Sequence, residues 1–300
     1  MSINHAQLRA FHAVAAEGGF TRAAEALHVT QPTLSAQVRE LEAAWEIRLF
    51  ERVGRRIEIT EIGRALFALT TRLASLEGEA EQLLASARGL LRGQLRVMAD
   101  APHHIIPLLK PFGARYPAIR FSLTFGNTSE TLAALHERAC DVAVLPDLAP
   151  DPRLHQTVLR RDRLVLCVGT DHKWARRRRI GLGELHGERV VMREPGSATR
   201  ALFAAALAAN SVELGETIDI GSREAVREAV AAGLGVGAVL ASEFGHDQRL
   251  RRLDLAGPPI ETTEYVACLR ERLPVRSVRA FFDLLPPAQD QPIRGRLIAP

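Results

Sequence analysis

The chain has 300 residues, a net charge of +4 and a hydrophobic fraction of 47%. This length predicts two domains with a connector, and the apolar content is sufficient for globular cores. No run of about 18 apolar residues is present, and the N-terminus has no basic segment followed by an apolar one, so we expect neither a membrane span nor a signal peptide.

Cysteine usage and charge narrow the class of protein further. The three cysteines, Cys140, Cys167 and Cys268, are widely separated and form neither a zinc pattern nor a disulfide framework, which indicates a reduced cytoplasmic setting without a bound metal or cofactor. The net charge alone does not indicate nucleic acid, because the first sixty residues hold seven Arg and seven Asp or Glu. An argument for DNA binding must therefore rest on where the charges lie.

Three helices are predicted before residue 46. The first covers 4–17 and ends at Gly18 and Gly19, the second begins with Thr21 as its cap, and the third begins with Thr30 as its cap. Pro32 is tolerated in the first turn of the third helix. The buried stripe of that helix is predicted from spacings of four, three and four: Leu34, Val38, Leu41 and Trp45.

The opposite face of the third helix carries short or hydrogen-bonding side chains instead of the usual Glu and Lys pairs. A helix that approaches the base edges of a DNA groove needs such side chains near its start. The pattern therefore predicts a helix-turn-helix whose second helix reads DNA, although an ordinary three-helix bundle would show the same two-helix pattern.

A β-hairpin, or wing, is predicted for residues 49–60, with Gly54 at its tip. Arginines around that tip can contact phosphate or enter a narrow minor groove. A wing next to a helix pair favours DNA binding over a plain bundle. The residues predicted to contact DNA are Thr21, Arg22, Thr30, Gln31, Pro32, Thr33, Ser35, Gln37, Arg39, Arg52, Arg55 and Arg56.

A long helix is predicted from residue 60 or 61 to about residue 91. Its apolar residues recur at alternating spacings of four and three over four heptads: Ile62, Leu66, Leu69, Leu73, Leu76, Ala80, Leu83, Ala87 and Leu90. This seam is typical of a coiled coil and predicts a homodimer, which would place two reading helices on two half-sites of a double-stranded operator.

From Gly93 onward, short apolar strands alternate with helices, which is an α/β pattern. The predicted strands are 94–99, 119–125, 142–145, 164–169, 189–192 and 236–240, and the predicted helices are 105–116, 130–138, 198–209 and 224–232. The stretch AGLGVGAV near Gly233 is not a dinucleotide loop, because a helix precedes it and a strand follows it. Gly233 is predicted to end that helix in a left-handed conformation.

The whole chain resembles the LysR-type transcriptional regulators. FTRAAEALHVTQPTLSAQVRELE and LFERVGRRIEITEIG resemble that family's winged helix-turn-helix, and GQLRVMAD, PFGARYP, DVAVL and AVAAGLGVGAV occur in the order of its effector domain. The resemblance implies a homotetramer that binds operator DNA and a small effector, with RNA polymerase as a further partner. It also implies a C-terminal domain similar to periplasmic binding proteins, with two α/β subdomains around a cleft.

The expected architecture combines α and α/β parts. We expect a winged helix-turn-helix in residues 1–60, a dimerising coiled-coil linker helix in 61–92 and an effector-binding domain in 93–300. Subdomain I would comprise 93–160 and 267–300, and subdomain II would comprise 161–266, with crossings near 160–163 and 262–266.

An anion site is predicted where EPGSATR opens a helix, because free N–H groups and the helix dipole favour an anion there. Together with ADAPHH, SREAV and SEFGHD, this stretch looks like a subgroup associated with 2-aminoethylphosphonate utilisation. The alternatives are a plain helix cap with a surface Arg for EPGSATR, a plain cap for residues 127–129, and surface or packing residues for His103 and His104. The predicted effector contacts are Asp100, Pro102, His103, His104, Asn127, Thr128, Ser129, Glu194, Gly196, Ser197, Thr199, Arg200, Ser222, Arg223 and Glu243.

Two other functional classes, an enzyme and a transport binding protein, fit the sequence less well. An enzyme would use the α/β cleft for chemistry, but no nucleophile–base pair or metal cluster shows at meaningful spacing, and catalysis would explain neither the wing nor the heptads. A transport binding protein needs an export signal, whereas this N-terminus is predicted to be a DNA-reading module.

Overall fold

The computed structural model of the chain describes residues 3–53, 56–87 and 93–286. The described residues up to 87 form one compact unit, and those from 93 form nearly all of a second. Among the described residues, no helix has the length and apolar character needed to cross a membrane.

The first unit begins with three helices, α1 (His5–Glu17), α2 (Phe20–Ala26) and α3 (Gln31–Trp45). The Asn4 side chain caps α1 by accepting from the Ala6 N–H at 2.9 Å, and Thr30 caps α3 by accepting from the Thr33 N–H at 3.4 Å. These caps satisfy N–H groups that have no partner within the helix. The buried face of α3 is formed by Leu34, Val38 and Leu41.

Two predictions for these helices are wrong. Thr21 does not cap α2, because the helix already begins at Phe20, and Gly19 stands at the cap position without a side-chain hydrogen bond. Trp45 is 47% exposed and not part of the buried stripe. The helix ends at Trp45, and Glu46 has a left-handed backbone conformation with a φ of 53°. The chain changes direction there, and Trp45 therefore does not continue the buried stripe.

The predicted wing is confirmed as a hairpin of β1 (Phe50–Val53) and β2 (Arg56–Ile59), in antiparallel register with Phe50 opposite Ile59. Helix α4 (Glu61–Ala87) follows, and the Thr60 hydroxyl accepts from the Gly63 N–H at 3.1 Å at its start. The part of the seam prediction that falls on Leu90 lies outside the described residues, as do the wing-tip predictions for Gly54 and Arg55.

The second unit is an α/β structure whose ten described strands form one sheet. Its strands are β3 (Gly93–Ala99), β4 (Ile119–Phe125), β5 (Val142–Pro146), β6 (Leu154–Gly169), β7 (Arg179–Ile180), β8 (Val190–Arg193), β9 (Thr217–Ile220), β10 (Val236–Leu240), β11 (Leu250–Leu255) and β12 (Glu261–Leu269). Its helices are α5 (Pro102–Arg115), α6 (Thr128–His136), α7 (Ala198–Ala209), α8 (Arg223–Ala231) and α9 (Arg276–Phe282).

The sheet order is β4-β3-β5-β12-β6-β10-β8-β9. Parallel strands β4, β3 and β5 form one lobe, parallel strands β10, β8 and β9 form the other, and the antiparallel pair β6 and β12 joins them. Strand β6 pairs with β12 up to Arg163 and with β10 from Leu164. It therefore begins ten residues before the strand predicted at 164–169.

Each lobe has its own core. In the first lobe, Leu95, Val97 and Phe112 are among the fully buried side chains, and in the second lobe Leu166, Val190 and Phe203 are. The Gly233 prediction is confirmed, since this residue follows α8 at a φ of 79°. Strands β7, β9, β11 and β12 and helix α9 were not predicted.

Candidate nucleic-acid interface and effector cleft

A groove of about 1240 Å³ in the first unit lies between α2, the start of α3 and the hairpin. Residues predicted to contact DNA that line it are Thr21, Arg22, Gln31, Pro32, Ser35, Arg39 and Arg52. Thr30 and Thr33 are exposed at the start of α3, and Gln37 is half-buried on the same helix. The side chain of Arg56 and the whole of Arg55 lie outside the described part.

The first turns of α3 present a connected polar surface. The Gln31 amide donates to the Ser35 hydroxyl at 3.2 Å, and Arg39 Nε donates to the Ser35 carbonyl at 3.2 Å. The hydroxyls of Thr30 and Thr33 lie 2.8 Å apart. This polar surface lies on the face of α3 opposite the buried residues Leu34, Val38 and Leu41. Side chains three or four residues apart share one face of a helix.

The groove is basic, with Arg22, Arg39, Arg48 and Arg52 among its lining residues. Arg48 was not among the predicted DNA contacts. Glu42, in the last turn of α3, is buried, and its Oε1 accepts from the backbone N–H of Leu49 at 2.7 Å. Sequence reasoning missed this anchor, since a helical glutamate between apolar residues usually faces solvent.

A second concave site lies in the second unit, between its two lobes. Its volume is about 440 Å³. It is lined where strands β3, β4, β8 and β9 end and where helices α5, α6 and α8 begin: Asp100, Pro102, Phe125, Gly126, Asn127, Glu130, Arg193, Glu194, Gly221, Ser222, Arg223 and Glu224. Ligands of open α/β sheets bind at such carboxyl ends, and helix N-termini favour anions.

Two arginines supply positive charge to this cleft. Arg193 makes two hydrogen bonds to the Glu194 carboxylate, at 2.8 and 2.7 Å. Burial opposes ionisation of Glu194, but these bonds hold its pKa below the usual value. Arg223 lies 2.7 Å from Glu243 through Nε and donates to the Asp100 carbonyl at 2.7 Å, which places it across both lobes.

Other titratable groups lie next to Asp100, which lines the cleft. Burial and the charge of Glu264 raise the pKa of Asp100, while burial and the charge of Glu243 raise that of Glu264 to about 8. Burial, with the neighbouring His104 and Arg223, lowers the pKa of His103 to about 3, so this ring is neutral at pH 7. His103 and His104 pack edge to face at 4.1 Å.

The predicted anion site at the start of α7 lies beside the cleft, where the lobes touch. The Ala198 N–H donates to the Thr128 hydroxyl at 3.2 Å, and the Ser129 N–H donates to the Gly196 carbonyl at 3.1 Å. Gly196 has a φ of 91°, and a Cβ there would lie 3.0 Å from Asn127 Oδ1.

The remaining residues of that predicted site are held by local contacts. Ser197 caps α7, and Thr199 is buried. Arg200 Nη1 donates to Asp219 Oδ1 and to the Arg193 carbonyl, both at 2.6 Å. Arg200 thus stabilises the end of β8, which carries Arg193. These bonds orient its guanidinium group towards Asp219 and the Arg193 carbonyl.

Two family profiles match this chain. The profile described as "Bacterial regulatory helix-turn-helix protein, lysR family" matches residues 5–64, and that described as "LysR substrate binding domain" matches residues 88–289. The chain therefore belongs to the LysR family of bacterial transcriptional regulators. It is a DNA-binding regulator with an effector-binding domain, and not an enzyme.

Individual relatives agree with this assignment. The transcriptional activator CmpR of Synechocystis is 30% identical, with 93% of each chain covered. A RuBisCO operon transcriptional regulator of Allochromatium vinosum is 33% identical, with 90% of this chain and 91% of that one covered.

Solved structures show the same fold. CbnR in complex with its target DNA has a TM-score of 0.70 at 22% identity, over 94% of this chain and 99% of that one. The regulatory domain of CcmR from Synechocystis PCC6803, in complex with 2-PG, has a TM-score of 0.59 at 26% identity, over 64% of this chain and 95% of that one.

Proposed function

We propose that the cleft of the second unit binds a small anionic effector, and that a phosphonate such as 2-aminoethylphosphonate is that effector. The observation that carries the proposal is the position of Arg193 and Arg223 on the cleft wall, next to the starts of three helices. Guanidinium groups and helix N-termini both favour a multiply charged oxyanion.

The acidic residues of the same cleft suit the other end of such a ligand. Asp100 and Glu194 line the cleft within reach of the two arginines, and Glu243 lies behind Arg223. A zwitterion with one phosphonate and one ammonium group would be complementary to this arrangement, because each end meets the opposite charge.

The relatives supply the strongest competing ligand. CcmR is described in complex with 2-PG. We therefore test 2-PG beside 2-aminoethylphosphonate, with phosphate and sulfate as further anions.

The test is calorimetric titration of the full chain with each of these four ligands. We expect saturable binding of 2-aminoethylphosphonate, and at least a tenfold loss of affinity in Arg193→Gln, because a charge-assisted bond is lost from a buried wall. Arg189→Gln is the matched control, since Arg189 precedes the same strand in an exposed pair with Glu216. Selective binding of 2-PG would keep the site and replace the effector, whereas no binding of any anion would refute the proposal.

The groove of the first unit is proposed to read the operator through the start of α3. In Arg39→Ala we expect the affinity for DNA upstream of the regulator's own gene to fall by about 1–3 kcal/mol if Arg39 contacts a base. Quantitative gel shifts with specific and random DNA measure this, and exposed Arg9 on α1, replaced by Ala, is the control. An equal loss on both DNAs would make Arg39 a phosphate contact instead.

Helix α4 is proposed as the dimer seam. Ile62, Leu69 and Leu76 recur every seven residues and are 51%, 58% and 51% exposed. A stripe of this kind is stable in water when a second copy covers it. Pairing of dimers into a homotetramer, and contact with RNA polymerase, are further parts of this proposal, as is a cytoplasmic location beside the chromosome.

Switching is proposed to follow from the architecture of the second unit. An effector that contacts both lobes stabilises one relative position of them, and the strands that join the lobes, β6 and β12, transmit the change. The effector must bind the two conformations unequally for this to work.

A further inference from the structure

A cluster of three potential metal ligands lies below the effector cleft. Asp100 follows β3, His104 is in the first turn of α5, and Glu264 is on β12. One nitrogen or oxygen atom of each lies within 4.8 Å of the corresponding atoms of the other two. The sequence did not reveal this group, because Glu264 is far along the chain from the other two residues.

One atom of each side chain in this cluster is buried and has no hydrogen-bond partner among the described residues while the carboxyl groups are ionised. These atoms are Asp100 Oδ1, His104 Nδ1 and Glu264 Oε1. The three side chains are 7%, 1% and 2% exposed. Buried polar atoms normally have a partner, so this group requires shared protons or a ligand that all three side chains contact.

The tautomer of His104 follows from its other contact. The Ser242 hydroxyl donates to Asp162, so it must accept from His104 Nε2, which lies 3.1 Å away. The proton of the ring is then on Nε2, and Nδ1 presents a lone pair. Nδ1 lies 3.2 Å from Glu264 Oε1, so the space between them holds either the proton of a neutral Glu264 carboxyl or a cation.

Carboxyl groups outnumber guanidinium groups around the cluster. Asp100, Asp162, Glu243 and Glu264 interact electrostatically there, opposite Arg160 and Arg223. Charge neutrality in this buried environment therefore requires either two protonated carboxyl groups or a bound cation, and a cation would take the place of those protons.

We propose that Asp100, His104 and Glu264 bind one divalent transition-metal ion, for which Zn²⁺ is the probe. One imidazole nitrogen with two carboxylate oxygens suits such ions. Metal–ligand bonds of about 2.0–2.2 Å place neighbouring ligand atoms about 3–3.6 Å apart, which the His104–Glu264 distance already matches. Ser242 holds the other ring nitrogen, as outer hydrogen-bond partners of metal-binding histidines do.

The site has a consequence for the fold, because its ligands come from different elements. Asp100 and His104 belong to the first lobe, and Glu264 is at a register shift in the strand that joins the lobes. A bound ion would fix α5 to that strand. Asp100 also lines the effector cleft, but the proposal does not depend on which effector binds there.

The test is equilibrium dialysis of the full, tag-free, chelator-treated chain against Zn²⁺ alone. We expect one ion per chain, and at least about a tenfold loss of affinity in Glu264→Gln and in His104→Gln, with a loss of about 10–100-fold in Ser242→Ala. The control is His136→Gln, which alters a half-buried histidine 3.7 Å from Asp151 and should leave binding unchanged.

Two further measurements test metal binding at this cluster. Zn²⁺ should raise the thermal midpoint of the wild type by several degrees and that of Glu264→Gln much less, and Co²⁺ should show a visible absorption band that His104→Gln removes. Circular dichroism of the metal-free variants checks their folding, and Glu264→Gln retains the shape of the side chain. Binding well below one ion per chain, or equal affinity in the wild type and Glu264→Gln, would overturn the proposal.

Discussion

Replacement of Asp141 by Ala is expected to lower the free energy of unfolding of the second unit by about 3–5 kcal/mol, which is typical when a buried ion pair loses one partner. Asp141 is 3% exposed in its side chain and precedes β5. Its Oδ1 accepts from Arg96 at 2.9 Å and from Arg272 at 2.6 Å, and its Oδ2 accepts from the Arg96 N–H at 2.8 Å. One carboxylate thus joins β3 to the segment before α9.

Urea denaturation of the full chain, followed by far-UV circular dichroism, measures this loss. The matched control is Glu228→Ala, which removes an exposed carboxylate 2.7 Å from Arg249 and should barely move the midpoint. A similar midpoint for the two variants would mean that Asp141 contributes no more than a surface charge.

The same carboxylate predicts a pH dependence. Burial opposes ionisation of Asp141, but hydrogen bonds and charge from Arg96, together with Arg272, hold its pKa below the usual value. Because the pKa is lower in the folded state, the stabilisation is present above the unfolded pKa of about 3.9 and is lost as pH falls through the folded value. The difference in stability between wild type and Asp141→Asn should therefore narrow below about pH 4. A difference that stays constant to pH 2 would contradict this.

Local signals explain most of what the sequence predicted correctly. The cap at Thr30, the pairing of the short strands β1 and β2 and the left-handed Gly233 each depend on a few adjacent residues. Apolar runs such as the one at 236–240 mark buried parallel strands, because both faces of such strands are covered. These features need no knowledge of the rest of the chain.

The missed elements depend on distant partners. Strand β11 carries Arg251 and Arg252 between its apolar residues, and it is a strand because β6 pairs with it. The first half of β6 contains many polar residues and is a strand for the same reason, because it pairs along its length with β12. Pairing of distant strands overrides local propensity, which a reading of one sequence cannot see.

The candidate sites divide in the same way. Strand ends and helix starts were predicted to line the cleft, and Asp100, Asn127 and Arg223 do. The sequence does not show which carboxylate pairs with each arginine, or that Asp100 lies next to Glu264. These contacts depend on the tertiary fold alone. Arg200 shows the limit clearly: its place in a helix start is a local property, but its bond to Asp219 is not.

Leu69→Glu is expected to raise the dissociation constant of the dimer by at least about a hundredfold, because burial of one leucine contributes about 1.5–3 kcal/mol and a two-fold interface contains it twice. Leu69 is 58% exposed on α4, in the centre of the stripe formed with Ile62 and Leu76. Sedimentation velocity over a range of concentrations measures the change. Ala74→Glu is the control, since this exposed residue lies away from the stripe on the same helix.

The same variant separates dimerisation from DNA reading. All residues of the groove around α3 are unchanged in Leu69→Glu, so each chain should keep its contacts to one half-site. Operator affinity should nevertheless fall steeply, because the second half-site no longer binds at the high effective concentration that a dimer provides. A variant that stays dimeric would remove α4 from the interface. A monomer with undiminished operator affinity would show instead that a single reading helix and wing account for binding.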